Sequence, residues 1–176
     1  MEFKSFKELK EEIDTYGEII SIKNEEGIYR IIIPDDFIIN IMDHTDGRFD
    51  YKDDKPNNPS NKNVYLPEKL IKKRDNILKV NPSEKIVYIG KADIGKRKNR
   101  GLKTRIFEYM LWGYNIKQEK GFFVHSGGRA IWQIENNKDL IVTYEYISNP
   151  HLVEKNELIE FKQKYGEYPL ANWGLY

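Results

Sequence analysis

Residues 85–109 read KIVYIGKADIGKRKNRGLKTRIFEY. The opening KIVYIG, Lys85 to Gly90, is rich in β-branched residues and predicts a strand. Further on, Leu102, Ile106, Tyr109 and Met110 recur at helical spacing and predict a helix. Between Lys96 and Arg105 lie six cations, Lys96, Arg97, Lys98, Arg100, Lys103 and Arg105, with no acid among them. The rest of the chain balances its charges, so this surplus is local and asks for a cause.

Upstream, Phe6, Leu9, Ile13 and Tyr16 predict an amphipathic helix over residues 5–16, ended at Gly17. EIISIK and GIYRIII follow, separated by Asn24 to Gly27, and predict a strand pair that Pro34 closes. DGRFDYKDDKPNNPSNKN, residues 46–63, is polar and turn-rich and reads as a loop. LPEKLIKKRDNIL, residues 66–78, suits a short helix with Pro67 in its first turn. Residues 34–84 therefore form an insertion between two strands, with too few apolar residues for a core of their own. Downstream, AIWQI (130–134) and LIVTYEYI (140–147) predict two more strands, and Leu152 to Tyr165 the last helix. The order of helices and strands gives a mixed α/β (α+β) domain spanning residues 1–176.

Composition narrows the class. The chain has 176 residues, 39% of them hydrophobic, with a net charge of +1 and no cysteine. Disulfides, thiolate metal sites and a cysteine nucleophile are excluded, and a reducing, cytoplasmic setting is expected. The charged N-terminus is not a signal peptide, and no apolar run approaches the roughly 20 residues of a membrane span. Near-neutral net charge means that any polyanion contact must come from a local patch.

Three groups of residues carry chemistry. A run of Lys and Arg leading into a helix suits a phosphodiester backbone, although a solvated surface is the commoner fate of such runs. Within it, Arg105 stands about 60–80° from the centre of the Leu102–Ile106–Tyr109 face, at the edge where a guanidinium can reach a cleft. On the last helix, Glu154 shares a stripe with Leu158, Phe161 and Tyr165, while Glu157 points about 60° to one side. A carboxylate on a core-facing stripe needs a partner or a metal; a simple helix-start role is the alternative. Tyr29 and Tyr88, on neighbouring strands, either share a functional face or are plain aromatic core residues.

In order along the chain, Gly27-Ile28-Tyr29, Tyr88-Ile89-Gly90, Lys91-Ala92, Leu102-Lys103-Thr104-Arg105-Ile106, the Glu154 helix and the closing Pro169-Leu170-Ala171-Asn172 resemble the GIY-YIG nuclease family. The resemblance spans residues 27–172. It implies a metal-dependent DNA endonuclease on a central antiparallel sheet of three or more strands flanked by helices. By that resemblance Tyr29 and Tyr88 line the site, with Tyr29 the favoured general base. Arg105 stabilises the pentacovalent phosphate, Lys91 assists, Glu154 holds one Mg²⁺ (or Mn²⁺), and Gly90 and Asn172 are structural. Phosphodiester hydrolysis needs such groups: an activated water, a cation for developing charge and a carboxylate for metal. Lys96, Arg97, Lys98, Arg100 and Lys103 would then track DNA; in HSGGRAIWQI the Gly-Gly turn either exposes His125 and Arg129 beside the substrate or is simply a tight turn entering a strand.

Two departures stand out. The 34–84 insertion replaces the family's short hairpin, so GIY and YIG pair only if it loops out. The glutamate register is also loose, with the helical face favouring Glu154 over Glu157. Tyr29, Tyr88, Arg105 and Glu154 should converge on one concave face; with Arg105 and Glu154 on opposite sides of the sheet the nuclease reading fails. Two other classes fit the same residues: a nucleic-acid-binding module on this fold without turnover, and a protein-interaction domain using the 46–63 loop. Either a monomer or a homodimer is compatible with the chain.

Overall fold

Ser5 starts the first helix with a reciprocal cap. Its hydroxyl accepts from the Glu8 amide at 3.2 Å, and the Glu8 carboxylate accepts from the Ser5 amide at 2.7 Å, which satisfies two orphan donors at once. The computed structural model describes residues 1–46, 65–94, 100–114, 116 and 128–175. In chain order these form β1 (Glu2–Ser5), α1 (Phe6–Tyr16), β2 (Gly27–Ile32), α2 (Pro67–Val80), β3 (Ile86–Ala92), α3 (Leu102–Gly113), β4 (Ile141–Tyr146) and α4 (Pro150–Tyr165). The fold is thus mixed α/β: four helices around one four-stranded sheet in the order β1-β4-β2-β3, every neighbouring pair antiparallel.

Three local expectations are corrected. EIISIK is not a strand; its isoleucines Ile19 and Ile22 are buried anchors, and the Glu12 carboxylate takes the amides of Ile20 and Ser21. A side chain that satisfies two successive amides removes the need for a strand partner. AIWQI is not a strand either. Arg129–Gln133 is a 3-10 turn entered through Gly128 at φ 72°, followed by a single bridge between Ile134 and Ile41. All of Ala130, Ile131, Trp132 and Gln133 are buried, so no alternation existed to separate strand from turn. Conversely, the charged Glu2–Ser5 segment is a strand, paired along β4 from Glu2↔Tyr144 to Ser5↔Ile141.

GIY and YIG do pair across the insertion. Gly27 faces Ala92, Tyr29 faces Gly90 and Ile31 faces Tyr88. A register shift after Ile31, where Ile32 meets Ile86, leaves Val87 as an extra residue, a bulge that turns this end of β3. The described parts of the insertion do not loop clear of the body. Ile33, Ile39 and Leu70 join the main core, and Ile77 of α2 packs on Phe161 and Tyr165 of α4. Leu70 carries the helical stripe inward with Lys73 and Ile77, which gives α2 a face to bury even though the segment as a whole is polar.

Strand alternation sorts side chains onto two faces. Tyr29, Ile31, Tyr88 and Tyr144 meet α1 and α3 in the main core with Leu9, Leu102, Ile106, Tyr109 and Trp132. Ile28 and Ile89 meet Leu158 of α4 on the other face. At the glycine of GIY, an added Cβ would stand 2.2 Å from the Glu145 carbonyl oxygen and 2.5 Å from Leu102. Only glycine lets β4 and α3 close on this end of β2.

The outer edge of β3 is covered by the C-terminal segment. The Ala171 amide donates to the Val87 carbonyl at 2.8 Å. Asn172 straddles Ile89: its Oδ1 accepts from the Ile89 amide at 2.9 Å and its Nδ2 donates to the Ile89 carbonyl at 2.8 Å. A buried amide thus completes the ladder that an edge strand would leave open.

Candidate active site

The two tyrosines are held by the strand register. Their ring centroids are 5.9 Å apart, over the side-chain-free Gly90. A Cβ at Gly90 would meet Tyr29 Oη at 2.8 Å and Tyr88 Cε1 at 2.8 Å, so the phenols lie against bare backbone. Both side chains are buried. Burial pushes the Tyr29 phenol above its ordinary range, while Arg105 and a hydrogen bond from Tyr88 pull it back; Glu154 and Glu108 push it up again. Burial drives Tyr88 further up, and its bond to Tyr29 raises it as well. The two phenols are hydrogen-bonded to each other. Tyr109 stacks 6.2 Å from Tyr88 and donates to the Gly128 carbonyl at 3.0 Å.

Arg105 sits one turn into α3 and is about a quarter exposed, as its place at the edge of the apolar face requires. Its Nη1 lies 3.8 Å from Glu108 Oε2, and Arg100 Nη2 reaches the same oxygen at 2.5 Å. Glu108, at 7% exposure, is a buried carboxylate between two guanidinium groups. Sequence reading passed over it because it lies inside a helix among apolar residues. The i, i+3 spacing to Arg105 is the signal that could have found it. Among the described residues, Lys91, Asp93, Arg100 and Arg105 line a cleft of about 150 Å³, three cations to one acid.

Glu154 falls on the buried stripe of α4 with Leu158, Phe161 and Tyr165. Its Oε2 is 2.7 Å from Lys91 Nζ, and the same ammonium lies 2.7 Å from His151 Nδ1. Glu157, one turn on, belongs elsewhere. It takes Arg30 Nε at 2.8 Å and a second guanidinium contact, while Arg30 Nη1 also reaches Glu145 at 3.0 Å. The two glutamates thus have different partners: Glu157 is bound to Arg30 under the sheet, and Glu154 reaches Lys91 at the end of β3.

The expectation of one shared face is corrected, and this counts against the endonuclease reading. α3 packs on the tyrosine face and α4 on the opposite one, so Arg105 and Glu154 start from opposite sides of the sheet. Antiparallel alternation makes this unavoidable, since Lys91 pairs with Ile28 on the α4 side while Gly90 pairs with Tyr29 on the α3 side. At the end of β3, Lys91 pairs with Glu154 and also lines the cleft with Arg105, so it stands between the two.

Among the described residues no three His, Asp or Glu side chains cluster as a metal cage. Glu154 does fit a hard cation held by one carboxylate with water completing the shell, as Mg²⁺ commonly is. Of the cations expected on DNA, Lys103 is paired with Glu18 at 2.5 Å and Arg100 with Glu108. Arg129 opens the 3-10 turn after Gly128. Lys96, Arg97, Lys98 and His125 lie outside the described residues, as does most of the 46–63 loop. Among the described residues no helix is long and apolar enough to cross a membrane.

No family model matches the chain, and no curated protein or solved structure matches it.

Proposed function

We propose that this protein is a GIY-YIG-type endonuclease that hydrolyses phosphodiester bonds in DNA with one divalent cation, Mg²⁺ or Mn²⁺, in a cytoplasmic setting. The observation that carries the proposal is the end of β3, where Lys91 both pairs with Glu154 and lines a cleft with Asp93, Arg100 and Arg105, while Tyr29 and Tyr88 pack over the adjacent Gly90.

Each side chain then has a task. Arg105, held by Glu108, presents a guanidinium to the negative charge that develops on the phosphorane oxygens. Once Tyr29 has lost its own proton to solvent, a hydrogen bond from Tyr88 would stabilise the phenolate, which could then accept a proton from the attacking water. Lys91 adds a second cation to the cleft wall. A divalent cation held by Glu154 would supply Lewis acidity at the phosphate. Asn172 and Gly90 hold the strand that aligns these groups.

A specific observation favours a second possibility, a binding module on the same fold without turnover. Tyr29 is fully buried, and burial disfavours the phenolate that a base must become. A plasmid-nicking assay with and without Mg²⁺, run on the wild type and on Glu154→Gln, decides between them. Metal-dependent nicking that vanishes in the variant supports the endonuclease. Tight DNA binding without nicking supports the binding module.

A further inference from the structure

The Lys91 ammonium occupies an unusual position. It is 2.7 Å from a Glu154 oxygen and 2.7 Å from His151 Nδ1. His151 and Glu154 are one helical turn apart at the start of α4, so both project toward the same point. An ammonium only donates hydrogen bonds. With the ammonium as donor, the Nδ1 atom of His151 accepts through its lone pair. A carboxylate oxygen and an imidazole lone pair converging on one positive charge are the two donor types that a divalent metal also seeks.

We propose that Lys91 competes with the divalent cation for Glu154, and that His151 is the berth that keeps the displaced ammonium when metal binds. This rests on the metal-dependent reading of Glu154 above. Glu154 is largely buried, with its side chain at 9% exposure, against 23% for Lys91. A buried carboxylate left without a cation is costly, so lysine neutralises it until metal arrives. Metal and ammonium cannot share the same oxygen without repulsion. When the cation takes Glu154, Lys91 keeps its bond to His151 and stays at the wall of the cleft it shares with Arg105. His151 is a positioning residue in this scheme and does not itself ligate the metal.

The test measures Mn²⁺ binding by calorimetry and by electron paramagnetic resonance, without substrate, on the intact chain. Wild type, Lys91→Met, His151→Phe, the double variant and Glu154→Gln are compared, with thermal melting to show that each is folded. Lys91→Met should tighten Mn²⁺ binding by at least about tenfold, the scale of one well-formed ion pair. His151→Phe should weaken it when Lys91 is present and have no effect in the Lys91→Met background. If Glu154→Gln abolishes binding but Lys91→Met leaves affinity unchanged or lower, competition is overturned and the metal site stands. If His151→Phe weakens binding in the Lys91→Met background, His151 is a ligand and the berth is overturned. If neither wild type nor Lys91→Met binds Mn²⁺ through Glu154, the metal-dependent reading falls and this inference falls with it.

Discussion

Glu154 and Glu157 lie one turn apart on the same helix, yet they serve different regions of the molecule. Glu157 faces Arg30 under the middle of the sheet, where a forked guanidinium also collects Glu145. Glu154 reaches past the end of β3, where it pairs with the Lys91 ammonium. The first carboxylate is enclosed in a bidentate pair, a geometry that fixes structure. The second meets a point charge on a flexible stem, which can be exchanged. Residue type and helical position are nearly identical; the strand residue underneath makes the difference.

The largest expected effect separates the two directly. Glu154→Gln should abolish metal-dependent plasmid nicking, while Glu157→Gln should leave nicking intact. It should instead destabilise the fold by about 1–3 kcal/mol, because Arg30 loses its charged partner in a partly buried site; urea denaturation measures this. A reversed pattern would move the candidate site one turn along α4 and end the comparison. Next in size, Arg105→Ala should lower the cleavage rate by roughly 10²–10³, the usual loss of one electrostatic stabiliser, with DNA affinity retained in a gel-shift titration. Glu108→Gln should lower it less, since Arg105 would remain but lose its anchor. Equal losses in the two variants would show that Glu108 acts on the reaction in its own right.

The β3 end depends on its brace as well as on its charges. Asn172→Ala deletes both hydrogen bonds to Ile89 and strands a buried amide and carbonyl. A loss of about 2–4 kcal/mol in denaturant melts is expected, together with slower nicking as β3 loosens. Next to this brace, the buried Lys73 donates to the Asn172 carbonyl and lies 4.6 Å from the Trp173 ring. Burial pulls the Lys73 ammonium from its ordinary 10.5 down to about 8. Between those values the unfolded chain holds a proton that the folded chain has lost, so stability should rise with pH from about 8 toward 10.5. In Lys73→Met that rise should shrink relative to wild type; identical slopes would mean that Lys73 titrates normally.

The smallest effect concerns affinity. Neutralising Lys96, Arg97 and Lys98 should reduce the log–log salt slope of duplex binding by about 0.9 for each phosphate no longer neutralised, while cleavage at saturating DNA survives. Arg100 is best changed separately, because its pairing with Glu108 links it to Arg105. An unchanged slope would assign the DNA track to another surface.

The chain's own pattern was enough for several elements. The 3.6 period of Phe6, Leu9 and Ile13, the β-branched KIVYIG and LIVTYEYI runs and the stripe from Glu154 to Tyr165 each specify an element, because burial of one face leaves a period in the residues. The same period separated Glu154 from Glu157 and placed Arg105 at a helix edge. Where burial is uniform, as in AIWQI, or where side chains satisfy amides, as at Ile20 and Ser21, periodicity carries no information. The Glu2–Ser5 strand was hidden because β4, far along the chain, supplies its hydrogen bonds. Only the tertiary structure could decide that α3 and α4 lie on opposite faces and that Lys91 links Glu154 to the cleft lined by Arg105. The reason is that strand alternation sends Gly90 and Lys91 to opposite sides. It also decided that Glu108, His151 and Asp93 join the site, because each is identified by what folding places beside it: Arg100 and Arg105, Lys91, and the cleft wall.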